Sequence, residues 1–219
     1  MDPTAVHLEA FIRFLENHDR FGAAAYALSL LESGEATVAG LYEQVLAPSL
    51  NRIEVPREKE DGLIWREHMM SSIVRTVVEA ALPFVRRERE TSGGAQGGAR
   101  VLLACPEEEY HELGIRMGAD FFAILGYDVA YVGCNTPRDT LLDAAMALQP
   151  ALVALGVTNY LNLAQLPPLA AALKALPFAP RVYISGSALK HTGRSAADFG
   201  ADGALDSFAS IRALGEGRP

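Results

Sequence analysis

From Val101 onward the chain alternates between two periodicities, and this leaves few folds open. Strand-like apolar runs fall at 101–105, 128–132, 151–157 and 181–185, with a weaker one at 204–205. Helix-like runs lie between or after them, near 110–125, 138–148, 162–175, 189–199 and 208–214. Short continuous apolar runs of this kind suit strands buried on both faces. Thr136 followed by Pro137 is a helix start. Five successive βα units imply a doubly wound parallel sheet of five strands, an α/β fold. At this spacing the flavodoxin-like strand order is expected.

The first ninety residues read differently, as helix throughout. Leu8, Phe11, Ile12 and Leu15 share one helical face. A second helix runs from about Phe21 to Ser33 and ends at Gly34. Thr37 can cap a third, which Pro48 should kink or end. A polar break over 54–61 precedes a fourth helix from Gly62 to about Arg89. It has Trp65, Met69, Ile73, Val77, Ala80 and Phe84 on one stripe, and Pro83 is expected to bend it. These segments predict an amino-terminal four-helix bundle over 1–90. Residues 91–99, rich in Gly and Ser, read as a flexible linker, and 100–219 as the Rossmann-like domain.

Composition removes several classes of function. Residues 1–90 carry ten Lys/Arg against fifteen Asp/Glu, and the remainder nine against twelve, for a net charge of −8. Neither half offers the basic patch that phosphate contacts need, so no direct nucleic-acid partner is expected. No secretory signal and no apolar run near eighteen residues stands out, which predicts no membrane partner. Two cysteines, Cys105 and Cys134, fit a reducing cytoplasm. There is no GxxxxGK loop, no GxGxxG after a strand and no GxSxG elbow, which argues against nucleotide cofactors and a hydrolase.

Ligands of an open α/β sheet bind beyond the carboxyl ends of its strands. The first such loop holds Glu109-Tyr110-His111-Glu112-Leu113-Gly114. His111 can ligate a metal through one ring nitrogen while Glu109 holds the other, and Gly114 lets the backbone approach a bound group. The loops after the third and fourth strands carry Gly156, Thr158 and Asn159, then Ser185, Gly186 and Ser187, small and hydroxyl residues suited to lining a slot. The bland reading of a lone histidine here is a solvated loop residue. Trp65 and His68 share a helical face beside Ser71 and Ser72, with Glu67 between them. From spacing alone Trp65 is core, and Glu67 and His68 are a solvated edge. His7 and His18 read as solvated positions of the first helix, and His191 as a surface residue after the fourth strand.

Taken together, these motifs resemble cobalamin-binding modules, in which a four-helix cap precedes a flavodoxin-like domain. The family's Asp/Glu-x-His-x-x-Gly signature is matched by Glu109, His111 and Gly114. A Ser-x-Leu/Thr motif falls on Gly156-Val157-Thr158, and a Gly-Gly motif on Ser185-Gly186. The resemblance implies base-off cobalamin with His111 as lower cobalt ligand, Glu109 as the carboxylate behind it, and the nucleotide tail beside Gly156, Thr158 and Gly186. Gly156 stands where a serine is usual, and Asn162 or Thr158 is the candidate to replace its hydrogen bond. Glu67-His68 also resembles the cap of light-sensing adenosylcobalamin regulators of the CarH/LitR type, whose pattern is Trp, nine residues, Glu-His. Here Arg57 takes the tryptophan's place and Glu58 follows it, while Trp65 is offered as a cover for the upper face from another position. No helix-turn-helix domain precedes the cap, so such a sensor is expected to act through a protein partner or its own assembly.

Three functions compete. One is a cobalamin-binding regulatory or photoreceptor module in signalling and transcription regulation, with adenosylcobalamin favoured over methylcobalamin or hydroxocobalamin. One is a corrinoid carrier for methyl transfer, with no catalytic activity of its own. The third is an α/β binding module that matches by chance.

Overall fold

The computed structural model describes residues 3–52, 60–92 and 98–216. Two compact units divide the chain, Met1–Glu88 and Arg89–Pro219.

The first unit is helical. Helix α1 (Pro3–Glu16) leads into α2 (Arg20–Ser33), which Asp19 caps by accepting the Gly22 N–H at 2.8 Å and which Gly34 ends in the left-handed conformation at φ 77°. Helix α3 (Val38–Leu41), capped by Thr37, continues through a π-helical turn (Tyr42–Leu46) into α4 (Ala47–Asn51). The expected kink at Pro48 is thus a wide turn just ahead of it. Proline lacks an N–H and crowds the carbonyl four residues back, and a π turn accommodates both. Pro83 does more than bend the next helix. It separates α5 (Glu60–Ala80) from α6 (Leu82–Thr91), with Ala81 at the break. Phe11, Leu15, Ala27, Leu41, Tyr42, Leu46, Val74 and Val77 form the core. Along α5 and beyond, burial follows Met70, Ile73, Val74, Val77, Val78 and Ala81, so the expected stripe is covered only from Ile73 onward. Trp65 and Met69 are exposed, which corrects the core reading of Trp65. The departures at Arg57 and Glu58 lie outside the described residues.

The second unit is a five-stranded parallel sheet of order β2-β1-β3-β4-β5. Its strands are β1 (Arg100–Pro106), β2 (Asp128–Thr136), β3 (Leu152–Gly156), β4 (Arg181–Ser185) and β5 (Gly203–Leu205). This is the flavodoxin-like order. Leu102, Val153, Leu155, Val182 and Ile184 turn one face toward α8 (Arg138–Leu148) and α9 (Leu166–Lys174), burying Leu141, Leu166, Leu169 and Leu173. Helices α7 (Leu113–Ile124) and α10 (Phe208–Glu216) meet through the Phe121 and Phe208 rings, 5.3 Å apart edge to face. The helix expected near 189–199 is instead two short 3₁₀ turns, Ala188–His191 and Ala196–Phe199. The polar stretch between them, with Gly193 at φ 64°, breaks the helical path, and Ser195 and Asp198 form a reciprocal cap on the second turn. A 3₁₀ turn, Tyr160–Gln165, likewise precedes α9, with Pro167 and Pro168 in the first turn of that helix. Among the described residues no helix is long and apolar enough to cross a membrane.

Candidate functional site

β1 delivers its chain to the carboxyl edge of the sheet, and residues 107–112 form the loop before α7. This loop is tied down from both flanks. The Asn135 N–H, after a left-handed turn at φ 48°, donates to the Glu109 carbonyl at 2.9 Å, and the Asn135 Oδ1 accepts the Glu108 N–H at 2.9 Å. From the other side Asn162 Nδ2 donates to the Glu108 carbonyl at 3.2 Å, and Gln165 Nε2 to that of Glu107 at 2.8 Å.

Within this frame Glu109 is fully buried, and five N–H groups donate to its carboxylate. Oε1 accepts from the His111 main chain at 3.0 Å and from His111 Nδ1 at 2.6 Å. Oε2 accepts from the main-chain N–H groups of Thr158 and Asn159, both at 2.9 Å, and from Asn162 Nδ2 at 3.1 Å. Burial alone would raise its pKa, but the hydrogen bonds from His111, Asn159 and Asn162 outweigh that and hold it down at about 2. The ionised carboxylate can only accept, so Nδ1 carries a proton, and in the neutral imidazole Nε2 carries the lone pair. The imidazole is 59% exposed, with its orientation set by a rigid anion behind it. A histidine held in this way is the usual arrangement of a metal-ligating imidazole.

Around the pair the small residues have physical reasons. A Cβ on Gly156 would lie 2.8 Å from that of Ile115, so α7 packs directly on the end of β3. A Cβ on Gly186, at φ 100°, would lie 2.4 Å from the Val157 carbonyl oxygen. Ser185 ends β4, and its carbonyl accepts the Val157 N–H at 2.8 Å. Gly114 is different. A Cβ there meets nothing within 4 Å, so packing within the described residues does not require a glycine. The collision at Gly156 leads to a prediction. Gly156→Ser and Gly156→Ala should each destabilise this unit by about 1–3 kcal/mol in urea unfolding, because the Cβ and not the hydroxyl collides. A serine variant as stable as the parent would show that α7 yields at no cost.

Cys105, buried at the end of β1, points its thiol at the His111 carbonyl, Sγ to O 3.9 Å. Burial and the nearby acids push its pKa up, so it is an inert thiol. Cys134 is half-buried, and neither cysteine is in a disulfide. Gln165 and Tyr131 carry no signal in the sequence that marks them for this site; the Tyr131 hydroxyl donates to Glu112 Oε2 at 2.6 Å. His191 closes the turn after β4.

The helical unit holds its candidates on an exposed surface. Ser71 Oγ donates to Glu67 Oε1 at 2.8 Å, and His68 Nε2 lies 3.5 Å from Glu67 Oε2, with the His68 side chain 72% exposed. Trp65 is 56% exposed, with the His18 ring 6.1 Å away. His18 is not on α1 but in the turn after it, at φ 55°, and its buried Nε2 has no hydrogen-bond partner among the described residues. His7, expected in solvent, is half-buried with Nδ1 2.8 Å from the Tyr26 hydroxyl.

Among the described residues no three His, Cys, Asp or Glu side chains converge on a metal site. One imidazole backed by one buried carboxylate fits a metal that brings its other ligands with it, as cobalt in a corrin does. Comparison with known proteins agrees. The B12 binding domain family model matches residues 99–204. The HTH-type transcriptional repressors CarA and CarH of Myxococcus xanthus are each 31% identical, over 104 and 114 residues, which is 46% and 52% of this chain. The match spans about a third of each repressor's length, 34% and 36%. The monomethylamine corrinoid protein of Methanosarcina barkeri shares the fold, with a TM-score of 0.78 at 12% identity over 96% of this chain and 97% of that one. Residues 99–204 of the carboxyl-terminal unit are therefore a cobalamin-binding domain.

Proposed function

We propose that this chain is a cobalamin-dependent regulatory module of the light-responsive kind. In this reading it holds adenosylcobalamin base-off on His111 and acts through a protein partner or its own assembly. The observation that carries the reading is the Glu109–His111 pair, a 2.6 Å hydrogen bond from an exposed ring to a buried, five-fold bonded carboxylate. His111 presents Nε2 as the lower ligand. Glu109 fixes its tautomer, and Asn162 with the Thr158 and Asn159 N–H groups fixes Glu109. Gly114, Gly156, Thr158, Ser185 and Gly186 line the path offered to the nucleotide tail. When bound, the cofactor supplies a cobalt–carbon bond that light can break. In the helical unit Glu67-His68 resembles the cap motif of light-responsive regulators, with Trp65 and His68 exposed and Glu67 half-buried, and the two relatives named as transcriptional repressors support a regulatory role. Two cysteines outside any disulfide suit a reducing cytoplasm.

Protein loaded in the dark with adenosylcobalamin and desalted is expected to stay coloured, and on illumination to change both its spectrum and its size on a column. Glu67→Ala combined with His68→Ala should keep the colour and lose the light-driven change in size. An unaltered response in that double variant would end the regulatory reading. A corrinoid carrier for methyl transfer is the alternative, favoured by Arg57 and Glu58 at the cap positions. It predicts bound colour with no change in assembly.

A further inference from the structure

Glu112 sits between His111 and the first residue of α7, at the helix N-cap position. Short polar side chains there commonly accept from the first-turn N–H groups, and the longer Glu112 makes no such bond. Its carboxylate goes sideways to β2, where the Tyr131 hydroxyl donates to Oε2 at 2.6 Å. That is the length of a charge-assisted O–H···O⁻ bond, among the stronger kinds in proteins. Burial, then the bond to Glu112, pushes the Tyr131 pKa up, which keeps the hydroxyl a donor. Tyr131 is itself braced. The Arg116 guanidinium lies 5.6 Å from its ring centroid, and Arg116 Nη1 donates to the buried Asp120 at 3.4 Å. The Arg116 N–H returns to the Glu112 carbonyl at 2.9 Å. The proposed function uses none of these groups, yet they fix the residue directly after His111, as Glu109 fixes its ring and N–H.

We infer that Tyr131 is a positioning residue for His111, acting through Glu112: strand β2 and helix α7 clamp the downstream side of the ligand loop. This rests on the assignment of His111 as lower ligand. With both flanks held, the imidazole reaches its ligating geometry without ordering the loop on binding. With one flank released, that ordering opposes binding.

The test uses the full chain with histidine labelled with nitrogen-15, loaded with cobalamin and reduced to the cob(II) state. A nitrogen-14 axial ligand splits the paramagnetic resonance lines of that state into triplets, and a nitrogen-15 ligand into doublets, so the doublet reports protein histidine on cobalt. Tyr131→Phe keeps the ring and its stacking on Arg116. Melting followed by circular dichroism is expected to confirm the fold. Its cobalamin affinity should fall about 10-fold, the low end for losing a partner of a ligand, and the doublet should weaken. Glu112→Ala should do the same, and the double variant should lose no more than either single one, as coupled residues do. Unchanged affinity and an intact doublet in Tyr131→Phe would overturn the inference, as would additive losses. A doublet that persists in His111→Ala would instead remove the ligand assignment beneath it.

Discussion

His111→Ala is expected to release cobalamin, with affinity falling by more than about 100-fold, beyond what losing an outer partner of a ligand costs. The imidazole is 59% exposed and packs little, so its removal leaves the core intact. The hydrogen bond to the Glu109 carboxylate is lost, at a cost of about 1–3 kcal/mol in stability. Glu109 keeps its other four donors, so the loop retains its path. Binding and folding therefore separate in this variant. Absorbance of desalted protein reads the first, and urea unfolding of the apoprotein reads the second. A variant that retains cobalamin as the parent does would show that the lower position is filled by something other than this ring.

Much of this arrangement is legible in the sequence, and the parts that are not share a cause. The β runs were readable because strands buried on both faces are continuous apolar stretches, as 101–105 and 152–155 are. The Glu109–His111 hydrogen bond is readable because two positions of a single loop make it. Helical period shows which residues share a face of α5, but not where along it a neighbour stops covering that face. The period therefore places Trp65 inward, whereas it lies exposed. Gly156 was readable only as a departure, and its reason, the Ile115 side chain, lies 41 positions away in sequence. Three of the donors to Glu109 come from the loop after β3, two of them main-chain groups that carry no residue signature. Tyr131 looks like any strand tyrosine until the sheet brings it beside α7.

Glu109→Gln is expected to cost about 3 kcal/mol of stability at neutral pH, and the cost should disappear in acid. Burial opposes the charge on Glu109, yet donors from His111, Asn159 and Asn162 lower its pKa from 4.5 to about 2. A carboxylate with a folded pKa below its unfolded one stabilises the fold fully above the unfolded value. That contribution is lost as pH falls from about 4.5 toward 2, where the folded state also takes up the proton. The shift corresponds to about 3 kcal/mol. Glutamine cannot ionise, and its amide turns a donor toward groups that are themselves donors. Urea unfolding of parent and variant apoprotein from pH 7 down to 2 is the measurement. Other carboxylates titrate in both proteins and cancel in the difference, which should stay level above pH 5 and close toward zero near pH 2. Cobalamin affinity at pH 7 should fall about 10- to 100-fold alongside, because the ring loses the anion that fixes its tautomer. A difference that stays level through pH 2 would mean that Glu109 holds the loop by shape alone, and that the charge behind His111 contributes nothing to the fold.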